Sequence, residues 1–266
     1  MEINRSNIFD LVNKCNVKPD KDYGQNFLVE PLISSKIVDS LELEKNDYVL
    51  EIGPGLGSLT HFVFDKCKLD VCDIDSRMID FLKIFYKEDI NYILNDVRKI
   101  DVSKYDKIIG NLPYNITTEL VTFLLLNSTA KKMVLMCQSE AFNRFFDLSG
   151  ENYGPVSILL HLLGESKKML TVKPGSFYPV PKCNSLVFTF TYKPVVDRET
   201  ATNVYKMSKS LFLNRRKTIY NNLKNYLGDS SRATNLLNEL GIEQNRRPDT
   251  ISPEEYLKLF KIMKDI

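Results

Sequence analysis

From Tyr48 to Cys137, short apolar runs alternate with segments whose apolar residues recur at helical spacing, the pattern of strand and helix in turn. Tyr48-Val49-Leu50-Glu51-Ile52, Leu69-Asp70-Val71-Cys72, Tyr92-Ile93-Leu94, residues 105–109 and Met133-Val134-Leu135-Met136-Cys137 read as strands. Residues 77–86 and 117–126 read as helices between them, and Gln138, Glu140 and Arg144 belong to a further helix. Such alternation predicts an α/β fold, a parallel sheet wrapped by helices, with ligands at the carboxyl ends of the strands. Ahead of it, Ile8, Leu11 and Val12, then Ile33, Ile37, Val38 and Leu41, keep helical spacing on either side of a glycine-containing loop, Tyr23-Gly24-Gln25-Asn26-Phe27-Leu28. After it come an apolar segment at 156–163, the run Met169-Leu170-Thr171-Val172, and the loop Phe177-Tyr178-Pro179-Val180-Pro181, stiff because each proline restrains the residue before it. Ser185 to Tyr192, with Leu186, Phe188 and Phe190 alternating, closes the sheet as its last strand.

Lys193-Pro194 breaks this pattern, and the natural division is a catalytic domain over 1–195 and a helical domain over 196–266. In the second, Val204, Met207, Leu211 and Phe212 share a helical face, Ile219, Leu223 and Leu227 another, and Leu236, Leu237 and Leu240 a third that ends at Gly241. Ser252-Pro253-Glu254-Glu255 opens a last helix with a cap, a proline in the first turn and two acids. Two basic clusters, Arg215-Arg216-Lys217 and Arg246-Arg247, punctuate these helices. Read as part of a helix, three adjacent cations cannot share one face, so the first cluster is not simply a solvated stripe, although spacing alone slightly favours a solvated surface over a binding site.

Composition changes this picture in one respect. The 266 residues, 43% hydrophobic and 26% charged, suit an ordinary globular protein with one large domain or one large and one small. No apolar run reaches membrane-spanning length and the first ten residues are polar, so a cytoplasmic protein is expected. Five cysteines without a Cys-x-x-Cys pair, and two histidines, predict no dedicated metal site. The net charge of +2, however, hides an asymmetry: from Arg198 onward thirteen basic residues face eight acidic ones, whereas the remainder carries 23 against 26. A basic helical third is compatible with nucleic-acid contact.

The strand ends carry the chemistry. Gly53-Pro54-Gly55-Leu56-Gly57 turns the first strand into a helix near Ser58, and glycines there let backbone approach a ligand closely. About twenty residues on, Asp73-Ile74-Asp75 ends the second strand where a carboxylate can grip a ribose hydroxyl pair; one of these acids alternatively caps the helix that follows. Asn95-Asp96 ends the third strand, where a polar residue can reach the edge of an adenine ring. Gly110-Asn111-Leu112-Pro113-Tyr114-Asn115 ends the fourth. By itself the last is a turn sequence. Its address beside the others gives it a purpose, because the exocyclic amine of adenine is a poor nucleophile whose lone pair is delocalised into the ring. Neutral acceptors on its two N–H groups let the nitrogen turn pyramidal: Asn111 supplies one, the carbonyl of Pro113 or of Leu112 the other, and Tyr114 a face on which an extruded base stacks.

Taken together these residues resemble the KsgA/RsmA family, the small-subunit ribosomal RNA adenine N6,N6-dimethyltransferases. The likeness runs from Gly24 to about Leu259 through Gly24-Gln25-Asn26-Phe27-Leu28, residues 50–57, Asn95-Asp96, the Asn111 loop, Phe177-x-Pro179-x-Pro181, and Arg215-Arg216-Lys217-Thr218 with Asn221-Asn222-Leu223. The resemblance implies a class I, Rossmann-like methyltransferase fold with a mostly parallel seven-stranded sheet and a small helical C-terminal domain. It implies S-adenosylmethionine as methyl donor, no metal, and action as a monomer on two adjacent adenosines in the 3′-terminal hairpin of small-subunit rRNA within the 30S particle. Carried over, Asn26, Leu28, Glu51, Gly53, Gly55, Asp73, Asp96 and Asn111 form the cofactor site. Asn111 and Tyr114 handle the target base; Pro113 joins them as catalytic from the acceptor argument above, and the basic clusters Arg215, Arg216, Lys217, Arg246 and Arg247 are the expected RNA contacts. Lys21-Asp22-Tyr23 departs from the consecutive basic residues usual before Gly24, Asp73 stands where many members have Glu, and Lys182-Cys183-Asn184-Ser185 replaces Lys-Val-Asp-Ser. Two other readings share the fold: a large-subunit rRNA adenine methyltransferase of the macrolide-resistance type, and a non-catalytic ribosome-assembly factor. The Leu112 form of the loop and the motif from Arg215 to Leu223 favour the small-subunit group over the first, and intact Asn111 and Tyr114 argue against the second.

Overall fold

The computed structural model describes residues 2–14, 17, 19, 25–87 and 90–264; Cys15 and Lys21-Asp22-Tyr23-Gly24 lie outside the described residues. In chain order the elements are α1 (Ile8–Lys14), β1 (Phe27–Leu28), α2 (Pro31–Asp39), β2 (Tyr48–Ile52), α3 (Thr60–Val63), β3 (Lys68–Asp73), α4 (Ser76–Tyr86), β4 (Asn91–Leu94), β5 (Lys107–Asn111), α5 (Thr117–Asn127), β6 (Lys132–Gln138), α6 (Ser139–Phe146), α7 (Pro155–Leu163), β7 (Gly164–Val172), β8 (Phe177–Tyr178) and β9 (Ser185–Tyr192). Four helices follow: α8 (Arg198–Leu211), α9 (Ile219–Leu227), α10 (Ser230–Glu239) and α11 (Pro253–Lys264).

Seven strands form one sheet in the order β4-β3-β2-β5-β6-β9-β7. The pairs β2–β3, β2–β5, β3–β4 and β5–β6 are parallel, as strand–helix alternation requires, and β9 runs antiparallel to β6. The central strands are buried on both faces: Val49, Leu50, Val71, Ile108, Ile109 and Val134 are all inaccessible, the signature of a sheet covered on two sides. The order reverses at β2, whose neighbours are β3 and β5, and there the connections from β2 and β5 leave in opposite directions and open a crevice at the carboxyl edge.

The structure differs from the sequence pattern at three places in this unit. Strand β9, expected to close the sheet, lies inside it, because residues 164–172 extend into the longer edge strand β7. The helix expected near Ser58 is only one turn, α3, preceded by turns through the glycines. The first two residues of the Phe177 loop pair with β1, Phe27 opposite Tyr178 and Leu28 opposite Phe177, so the loop starts from a fixed point against the N-terminal segment.

Two compact units divide the chain: Met1–Ala141 with Ser166–Tyr192, and Phe142–Glu165 with Lys193–Ile266. The helical unit is therefore assembled from two stretches of sequence rather than one. Helix α7 buries Ile158, Leu159, Leu160, Leu162 and Leu163, too many apolar residues for a surface connection, and packs against α8 and α11. Tyr153, Phe212 and Tyr256 form an aromatic cluster in that unit, with centroids 5.8 and 6.0 Å apart. Asp197, Thr218 and Asp229 cap α8, α9 and α10 by accepting backbone N–H groups, which fixes where each helix begins.

Candidate active site

The carboxyl ends of β2, β3 and β5 open onto a cleft. After Ile52 the chain turns through Gly53, Gly55 and Gly57, all at positive φ (63°, 54° and 89°). Gly55 needs its glycine twice over: a Cβ there would also stand 3.0 Å from the Phe27 ring. On β5, a Cβ at Gly110 would lie 2.7 Å from the Ile52 carbonyl oxygen, so only glycine lets the strand deliver Asn111 beside β2. The lining includes Asn26, Phe27 and Leu28 from the N-terminal segment, Glu51, Gly53 and Gly55 from the first turn, Asp73 and Ile74 from β3, and Asn111, Leu112, Pro113 and Tyr114 from β5 and its loop. Every sequence-expected cofactor and catalytic residue except Asp96 is among them.

Asp73 and Asp75 divide the two roles open to them. Asp75 caps α4, accepting from the Arg77 N–H at 3.0 Å, and also accepts from Gln25 Nε2 at 2.8 Å. Asp73 faces the cleft, with Oδ1 accepting the Asp75 N–H at 2.9 Å. Burial drives its carboxyl up to about 6, against the opposing pull of that N–H. Asp96 is drawn elsewhere: it caps the short turn at Val97–Lys99, and the Arg98 guanidinium grips both its oxygens and holds it below the usual carboxylate range. Arg98 also reaches Glu119 in the first turn of α5.

Asn111 is oriented by its own amide. Nδ2 donates to the Asn26 carbonyl at 3.1 Å, which leaves Oδ1 buried and without a partner. Pro113 is engaged otherwise, since its carbonyl accepts from Thr117 Oγ1 at 2.9 Å and from the Ile116 N–H at 3.3 Å. The Leu112 N–H donates to Met136 at 2.9 Å, while no donor of the described residues occupies the Leu112 carbonyl. Of the two carbonyls the sequence offered as second acceptor, the Leu112 oxygen is the one available. The Tyr114 hydroxyl is 2.8 Å from Ser185 Oγ, which tethers the ring to β9, and burial raises its phenol. Ser185, although part of the Lys182-Cys183-Asn184-Ser185 motif, was invisible as a partner of Tyr114 in sequence, 71 positions away.

In the helical unit the expected cations fare unequally. The Arg215 cluster lies in the connection between α8 and α9, not on a helix. Asn222, buried at the start of α9, shapes it by donating to the carbonyls of Asn214 (3.1 Å) and Thr218 (3.0 Å). The Arg246 carbonyl accepts the Ile219 N–H at 2.6 Å, so the two clusters adjoin. Arg215 pairs with Asp249 at 3.2 Å, and Arg246 with Glu255 through both nitrogens at 2.6 and 3.0 Å. Arg216, Lys217 and Arg247 are exposed and make no ion pair among the described residues. Among the described residues no cluster of three or more metal-binding side chains occurs, and no helix is long and apolar enough to cross a membrane.

A family model described as Ribosomal RNA adenine dimethylase matches residues 16–265. The chain is 38% identical to the Ribosomal RNA small subunit methyltransferase A of Malacoplasma penetrans, over 94% of this chain and 93% of that protein. It is 34% identical to the protein of the same name from Mycoplasma mycoides subsp. mycoides, over 93% and 98%. Among solved structures, a dimethyladenosine transferase from Plasmodium falciparum superposes with a TM-score of 0.77 at 25% identity, covering 90% of this chain and 98% of that one. The 23S rRNA methyltransferase ErmE superposes at 0.70 with 23% identity over 90% of this chain and all of that one, a likeness of fold alone.

Proposed function

The chain belongs to the ribosomal RNA adenine dimethylase family, and from that premise we propose that it transfers methyl groups from S-adenosylmethionine to N6 of two adjacent adenosines in the 3′-terminal hairpin of small-subunit rRNA. Relatives above 30% identity carry the small-subunit description, and no observation favours the large-subunit reading. The cleft suits that donor. Its positive-φ glycines admit close backbone approach, Phe27, Leu28 and Ile74 offer apolar walls, and Asp73 ionises within the physiological range, so that it can accept from two ribose hydroxyls. When bound, S-adenosylmethionine supplies an electrophilic methyl group.

The observation that carries the proposal is the unpartnered Asn111 Oδ1. A buried amide oxygen without a donor costs about 1–3 kcal/mol. Its place here is explained if the missing donor is an N–H of the target amine. The Leu112 carbonyl takes the second N–H, and the amine nitrogen, freed from conjugation, presents its lone pair. Tyr114, held by Ser185, gives the extruded base a flat surface. No base is required, because the amine's proton becomes acidic only after alkylation and then leaves to solvent. The acting form is a monomer in this reading, and exposed Arg216, Lys217 and Arg247 offer phosphate contacts to the RNA. Such a substrate is met in the cytoplasm.

The test is to map N6,N6-dimethyladenosine on rRNA from cells with and without the gene. The mark is expected in the small-subunit 3′ hairpin only where the protein is present, and absent when Asn111→Ala replaces it. A mark that persists without the gene, or that appears in large-subunit rRNA, overturns the proposal.

A further inference from the structure

Among the described residues, two carboxylic acids, Glu51 and Asp73, line the cleft, and no lysine, arginine or histidine does. Glu51 is the deeper: it is 1% exposed, and Oε2 is buried without a hydrogen-bond partner. A carboxylate in such a place is strongly disfavoured unless a cation joins it. Among the described residues none faces it. From the elements packed against it, the titratable groups facing Glu51 are Asp73 on β3, itself an acid, and Tyr86 on α4, a neutral phenol; Thr60 on α3 offers only a hydroxyl and an N–H. Burial accordingly pushes the Glu51 carboxyl up to about 8, and the nearby Asp73 charge adds to the rise. In the free protein at neutral pH Glu51 holds a proton.

Strand order says which part of a ligand meets it. Asp73 ends β3, Glu51 lies on β2 and Asn111 ends β5, and these three strands are neighbours with β2 in the middle. A donor whose ribose is gripped at β3 and whose reacting group faces Asn111 extends its charged amino-acid end across β2. We propose that Glu51 is a proton-exchanging site for the cationic tail of the cofactor: protonated in the free protein, it ionises when the ligand's ammonium arrives and releases its proton to solvent. The O–H bond breaks, the carboxylate keeps the electron pair, and the ligand's positive charge takes the place of the proton. A permanent protein cation would repel the ligand, and a neutral amide would offer it no charge. A buried carboxyl avoids both. This rests on the S-adenosylmethionine reading, and the experiment separates the two.

Calorimetric titration at pH 7 in three buffers of different ionisation heat counts protons exchanged per ligand bound. With S-adenosylmethionine or S-adenosylhomocysteine, both carrying the ammonium, about one proton is expected to be released. Affinity should rise nearly tenfold per pH unit toward pH 8 and then level off. 5′-Methylthioadenosine, which keeps the nucleoside and lacks the tail, should bind without release. Glu51→Gln, equal in shape and checked by thermal melting, should bind both tailed ligands with no release at pH 7. Binding without proton exchange in the wild type overturns the inference and leaves the cofactor reading standing. Release that survives Glu51→Gln, or that accompanies 5′-methylthioadenosine, overturns it too. Failure of both tailed ligands to bind overturns the cofactor reading and the inference with it.

Discussion

The cleft at the strand ends and the basic turn of the helical unit both come from compact sequence motifs, yet folding leaves different things unpartnered in them. In the cleft the unpartnered groups include two buried acceptors, Asn111 Oδ1, whose amide nitrogen is fixed on the Asn26 carbonyl, and Glu51 Oε2. Maintaining them costs free energy in the absence of a donor, so their position is specific about what must arrive: an N–H or a cation at a defined point. In the turn, Arg215 and Arg246 are drawn into half-buried pairs with Asp249 and Glu255, and the exposed remainder of the clusters is free at little cost. Exposed cations are specific only about sign. A buried orphan therefore identifies chemistry, whereas a surface charge identifies a class of partner. The first can be read from one residue and the second only from a count.

Removing the Asn111 oxygen should have the largest effect. Asn111→Ala is expected to lower kcat by about 10²–10³-fold, the usual loss when one preorganised polar contact to a developing charge is removed. RNA affinity should hardly change at saturating cofactor, as single-turnover methyl transfer and filter binding would report. A loss confined to KM would mean that the oxygen holds the ground state, and the cleft would then resemble the turn in merely binding. Asp73→Asn comes next. Charge-assisted hydrogen bonds contribute about 1.5–3 kcal/mol each, so cofactor Kd should rise at least tenfold. In the wild type the protonated acid is the weaker acceptor, and affinity should fall as pH drops through about 6, the lower of two steps. Asp73→Asn should abolish that step and leave the upper one, from Glu51. An unchanged pH profile by calorimetry would remove Asp73 from the ribose site.

Most of the first unit was legible because strand ends and glycine turns are local: β2 starts and stops where the apolar run does, and Asn111 is the last residue of β5. What was not legible depends on partners distant in sequence. The choice between the Pro113 and Leu112 carbonyls turns on the Thr117 hydroxyl, and the hold on Tyr114 comes from Ser185 on a strand whose place inside the sheet the alternation of Leu186, Phe188 and Phe190 does not reveal. Asp96 shows the same limit in reverse: its position after β4 suggested an adenine contact, and only the structure shows that Arg98, two residues on, also bonds both its oxygens. Helix α7 was visible as an apolar segment, and nothing in its sequence says which unit it packs with. In the basic clusters, five like charges look alike until Asp249 and Glu255 fold against two of them.

That last division gives the sharpest way to break the comparison, with the smallest expected effects. Arg216, Lys217 and Arg247 changed together to Ala should leave the melting temperature where it was, since all three are exposed and none makes an ion pair among the described residues. RNA binding should lose roughly 0.7–0.9 of a log–log salt-slope unit per phosphate contact removed, about 2–3 units for the three. Arg215→Ala and Arg246→Ala should do the opposite. Each unpairs a partly buried carboxylate, Asp249 at 18% and Glu255 at 29% side-chain exposure, and should lower stability by about 1 kcal/mol while moving the salt slope little. Fluorescence anisotropy over a salt series, with parallel thermal melts, reads both quantities from one set of proteins. If Arg215→Ala flattens the salt slope as much as Arg216→Ala and leaves the melt unchanged, Asp249 gives up its arginine to the RNA. The fold's sorting of the charges would then be undone on binding, and the turn, like the cleft, would be a site whose internal contacts stand in for those of its ligand.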